Sequence, residues 1–207
     1  MPSKSFEKFT KTINRCEILV DTYIDLKAIS DQDEISNPTK DIVRAAVVLS
    51  VAALDAYVTD VFAEKLVPYL KRYTPDDSLI KILSDAGLNT KEALTLLKMD
   101  RPYRRIRTLI EIYYSKYTTQ KFEVIDKLFL QYRLKNITEN AARKSGKVLI
   151  KKSVEALIQR RHDIAHDGDY NSHGRIKDIS EVVILRRIND LNILVTMMDE
   201  LICNKIP

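Results

Sequence analysis

The chain has 207 residues, 34 basic against 29 acidic side chains for a formal charge of +5, 45% apolar residues, 4 Gly and 2 Cys. That is enough apolar content for a core in one domain, and two cysteines exclude a disulfide-built scaffold. The charge is a mild bias towards anionic partners, well short of a histone-like surface, and scarce Gly with 30% charged residues favours a helix-rich fold.

Phe6, Phe9, Ile13, Cys16, Val20 and Tyr23 recur by three and four and predict a first helix of roughly 25 residues. Its opening reads as an ordinary amphipathic helix, not a secretory leader, so the expected compartment is the cytoplasm, with Cys16 and Cys203 as buried reduced thiols. Residues 31–37 read as an acidic loop, and Asn37 followed by Pro38 is a strong helix start. The second helix should run towards Tyr73. Its segment 45–54 is apolar on all sides, which predicts the most buried helix. That run stops at Asp55, too short to span a bilayer, and no membrane partner is expected. Pro68 should kink or end the helix.

Short helices are expected after Thr74-Pro75-Asp76-Asp77, stopped by Gly87, and after Asn89, with further ones marked by Ile106, Leu109, Ile110 and Tyr113 and by Ile125, Leu128, Phe129 and Tyr132. Another turn of helix is expected between Asn136 and Gly146. A helix from about Lys147 to His166 follows, and a last one carries Ile184, Ile188, Leu191, Val195, Met198 and Ile202 on one stripe. There is no strand alternation, repeat or linker. The expected architecture is all-α and a single domain over residues 1–207, with core helices at 38–74 and 147–203 and a helical insertion at 75–145.

Chemistry concentrates in Arg160-Arg161-His162-Asp163-Ile164-Ala165-His166-Asp167-Gly168. All 3 His (His162, His166 and His173) fall here or in the loop that follows. Histidine exchanges protons near neutrality, and arginine presents a charged fork that fits phosphate oxygens. Arg161 follows Ile150, Val154 and Leu157 in the apolar stripe, where an arginine is costly unless paired. His162 and His166 also have the i, i+4 spacing of metal ligands, but two arginines adjoin them and no third ligand stands at a recognised spacing. No metal and no cofactor are expected.

Arg161-His162-Asp163-Ile164-Ala165-His166, read as R-x-x-x-x-H and followed by Asp-Gly, resembles the signature of HEPN domains. Residues 44–62, including Arg44, Asp55 and Tyr57, are similar to the second helix of the RiboL-PSP-HEPN branch. The resemblance implies an all-α HEPN-type bundle and a metal-independent endoribonuclease that cuts RNA by 2′-hydroxyl attack. It also implies a homodimer whose two protomers bring the Arg and His of the motif together, and a toxin or anti-phage setting with an antitoxin or regulatory protein as a possible partner. A non-catalytic HEPN module binding RNA or a protein is the alternative. Family members often carry Asn where His162 stands. Members under adenylylation control carry Tyr where Gly168 stands.

On this reading Arg161 and His166 are the catalytic pair, and His162, Asp163 and Asp55 support them. Asp55 interrupts an apolar helix and needs a partner: Arg161 or a histidine on the functional reading, solvent or Arg44 on the structural one. Lys151, Lys152 and Arg160 near the motif, and Arg101 and Arg104 beside Tyr103, are the expected RNA-binding cations.

Overall fold

The computed structural model describes residues 1–29 and 39–207. The expected acidic loop and the helix start at Asn37 and Pro38 lie outside them. Among the described residues there are nine helices: α1 (Lys4–Ile29), α2 (Asp41–Arg72), α3 (Asp77–Asp85), α4 (Thr90–Leu96), α5 (Pro102–Tyr114), α6 (Phe122–Leu130), α7 (Ile137–Ser145), α8 (Ile150–Asp167) and α9 (Glu181–Lys205). Extended pairing among them is limited to one isolated bridge, between Tyr170 and Ile176.

Helix α2 is the hub. Helices α1, α5, α8 and α9 pack on it because apolar residues recur on several of its faces, with Val47, Val51, Leu54, Val58, Val61 and Phe62 all buried. It is nevertheless not buried all round, since Ala45, Ala52 and Ala56 face outward. By length and composition α2 is apolar enough to cross a membrane, but 56% of its most apolar window is buried inside the fold. Pro68 does not end α2, which continues to Arg72. The proline removes one N–H donor near the helix end. Packing offsets that loss: the next residue, Tyr69, is buried with its ring 4.8 Å from that of Tyr132.

The apolar stripes of α1 and α9 are buried as their spacing predicts, and Ser180 caps α9 by accepting from the Val183 N–H. Asp76 and Asn89 cap α3 and α4 in the same way. The helices between residues 75 and 145 do not stand apart from the rest. Helices α5 and α6 lie on α2, and α7 lies on α9. Tyr132 ties the middle to the hub: its ring stacks on Phe62 at 4.5 Å and its hydroxyl donates to the Phe62 carbonyl. Helix α8 packs on both α2 and α9, so the motif lies between these two core helices and solvent.

Candidate active site

The last turn of α8 is loosened. The N–H groups of Gly168 and Asp169 both reach back to the Asp163 carbonyl, five and six residues away instead of four. Gly168 (φ +62°) and Asp169 (φ +63°) are both left-handed. At Gly168 a Cβ would also meet the Tyr170 ring at 3.1 Å, so positive φ and this close approach together favour glycine there. The chain then turns back, and the Lys177 N–H donates to the Asp169 carbonyl.

One buried carboxylate fixes this turn. Asp169 is 1% exposed, and its Oδ2 accepts from Arg44 Nε at 2.7 Å and Arg160 Nη2 at 2.8 Å. The same two guanidiniums donate to the Lys177 carbonyl, and Arg160 also donates to that of Asp178. Arg44 comes from α2 and Arg160 from α8, so one oxygen joins both helices to the loop after the motif. Arg160, expected to bind RNA, is thereby committed inside the fold. The spacing of α8 could not reveal this, because the partner lies beyond a left-handed turn.

Asp163 is likewise engaged. Hydrogen bonds from Lys177 and then Gln159 hold its carboxyl below the ordinary aspartate pKa. Among the described residues it touches no catalytic candidate. Asp55 also departs from expectation. Its partner is neither Arg161, a histidine nor Arg44: Oδ1 accepts from the N–H and hydroxyl of Thr119, at 2.6 and 2.5 Å. Asp55 faces the α5–α6 connection, and Arg44 is taken by Asp169. Asp55→Ala should therefore lower stability by about 1.5–3 kcal/mol, the range for hydrogen bonds to a charged group. It should leave RNA cleavage at the wild-type rate; chemical denaturation and a cleavage assay on the same preparation check both.

Arg161 and His166 are left free. Arg161 is half-buried, has no ion pair among the described residues, and its Nε is buried without an acceptor. His166 is exposed, with its ring centroid 4.5 Å from that of His162 in a tilted stack. Five positions on one helix separate Arg161 from His166 by roughly 140° around the axis. A family model for RiboL-PSP-HEPN matches residues 10–204. The chain belongs to the RiboL-PSP-HEPN family. Membership makes it a ribonuclease-like or RNA-related module. No curated protein and no solved structure matches it.

The remaining cations of this HEPN chain divide by their partners. Lys151 is drawn to Glu139 at 3.3 Å and lies over the Phe122 ring, which turns it from the expected RNA role towards α7. Lys152 is exposed and unpaired among the described residues. Arg101 and Arg104 are exposed without ion pairs among the described residues, whereas their neighbours Arg105 and Arg107 are held by Glu92 and Glu111. His173 sits in the exposed loop, its N–H donating to Asn171. Among the described residues no three His, Cys, Asp or Glu side chains converge as metal ligands. The residues missed from sequence are Asp169 and Lys177. The available signal was the acid directly after Gly168, facing two arginines that needed partners.

Proposed function

We propose that the protein is a metal-independent endoribonuclease acting as a homodimer, with a growth-arresting toxin or anti-phage effector as its natural setting. The observation that carries this reading is Arg161. Its neighbour Arg160 is engaged through Nη2 with Asp169 and two backbone carbonyls, yet Arg161 stays half-buried, with a buried Nε that meets no acceptor among the described residues. A half-buried guanidinium that pairs with no carboxylate is costly to keep, and its charged fork suits an anion. In the proposed reaction the 2′-hydroxyl oxygen bonds to the adjacent phosphorus and the bond to the 5′-oxygen breaks. His166 serves proton transfer, and Arg161 meets the negative charge of the pentavalent phosphorane. The divergence of the two side chains within one helix supports a site completed by a second copy.

The test is total RNA in EDTA, wild type beside His166→Ala, with product ends mapped. Wild type should leave 2′,3′-cyclic phosphate and 5′-hydroxyl ends, and light scattering should give a dimer. Products with 3′-hydroxyl and 5′-phosphate ends would overturn the mechanism. The same divergence also favours a second reading, a non-catalytic module that only binds RNA or a partner protein. Intact RNA with both proteins would support it.

A further inference from the structure

Along the first half of α8, α8 and α9 line an open groove of about 350 Å³ that includes Ile150, Lys152, Ser153, Arg186, Arg187 and Asp190. Its floor is apolar, with Ile150 and Ala156, and its mouth carries the exposed Leu149. Its acid, Asp190, is already neutralised: Lys147 Nζ donates to one carboxylate oxygen at 2.7 Å and Ser153 Oγ to the other at 2.6 Å. Lys152, Arg186 and Arg187 have no ion pair among the described residues. Arg187 is half-buried, and burial together with the charges of Arg186 and Arg160 presses its pKa below the ordinary arginine value. Three cations thus face one groove with no carboxylate left to answer them. Their mutual repulsion is relieved by a polyanion and by little else in the fold. On α8, Arg160 lies in line with Ser153 and Ala156, so the groove leads to the residue beside Arg161.

We infer that this groove binds the phosphodiester backbone of single-stranded RNA flanking the bond to be cut, through Lys152, Arg186 and Arg187. The inference rests on the ribonuclease reading for its substrate and adds a binding track that the motif does not contain. Charge sets the occupant, because guanidinium forks fit phosphate oxygens. The apolar floor takes ribose and base faces without sequence preference.

Binding is measured with His166→Ala protein and a fluorescent single-stranded RNA oligonucleotide, so a chain that never cleaves RNA still gives a valid answer. In that background Lys152→Gln/Arg186→Gln/Arg187→Gln is compared with Lys81→Gln/Lys91→Gln/Lys121→Gln, which removes equal charge from exposed positions elsewhere. Circular dichroism melting confirms that both are folded. The groove variant should bind at least tenfold more weakly. Its slope of log affinity against log salt should be shallower by about 2, at roughly 0.7 for each phosphate that is no longer neutralised. Equal losses in the two variants, or no loss in the groove variant, overturn the inference. So does a groove variant that loses affinity for poly-glutamate while keeping that for RNA, which would reassign the groove to an acidic protein segment.

Discussion

Arg161→Met should melt at or above the wild-type temperature while losing about two to three orders of magnitude in RNA cleavage, the usual effect of removing one charge-stabilising donor. The stability half follows from burial. The Nε of Arg161 has no acceptor among the described residues, and an unsatisfied buried donor costs about 1–3 kcal/mol, which an apolar side chain of similar length removes. His166→Ala should lose a comparable two to four orders of magnitude, as expected for a proton-transfer group. Its stability should change by no more than about 0.5 kcal/mol, because the side chain is exposed and makes no hydrogen bond among the described residues. A gain in stability paired with a loss of activity marks a residue kept for chemistry. The measurement is melting temperature and cleavage rate on the same preparations. Arg161→Met melting well below wild type would make Arg161 structural and remove the main support for the catalytic reading.

Asp169→Ala should do the reverse and fail through the fold. It strips the shared acceptor from Arg44 and Arg160, whose side chains are only 6% and 15% exposed. Leaving a buried charge without its partner typically costs about 3–5 kcal/mol. Alanine adds about 1–2 kcal/mol at a left-handed φ that aspartate tolerates better. For a chain of this size the sum, about 4–7 kcal/mol, corresponds to a drop of about 8–28 °C in melting temperature. Asp169→Asn, which keeps one acceptor oxygen and the tolerance for positive φ, should recover a substantial part of the loss. If Asp169→Ala melts like wild type, the clamp contributes nothing and the remaining acceptors of Arg44 and Arg160 suffice.

The contrast between Arg160 and Arg161 shows where sequence reasoning reaches and where it stops. The stripe Ile150, Val154, Leu157 correctly put Arg161 on the buried side of α8. Helical period also located the α9 core, and cap chemistry located the starts of α3 and α4. These are local properties, carried by residues three or four apart. What each charge pairs with is not local. Asp55 and Thr119 are 64 positions apart, and Arg44 and Asp169 are 125 apart. A mutual pairing of the conspicuous charges Asp55 and Arg161 was plausible on burial cost alone. The fold instead gives Asp55 a backbone and hydroxyl partner and leaves Arg161 without an ion pair among the described residues. The role of Arg186 and Arg187 is non-local in the same way: only the approach of α8 turns them into a groove wall.

The shared oxygen of Asp169 also bears on motion. Helix termini ordinarily fray, and their amides exchange with solvent far faster than those of the core. Here the final N–H groups, those of Gly168 and Asp169, are tied to the Asp163 carbonyl in a turn whose carboxylate is held by α2 itself. Opening the end of α8 means detaching it from the central helix, so this terminus belongs to the same cooperative unit as the hub. The backbone that bears His166 is therefore anchored to the central helix through the same turn that ends α8.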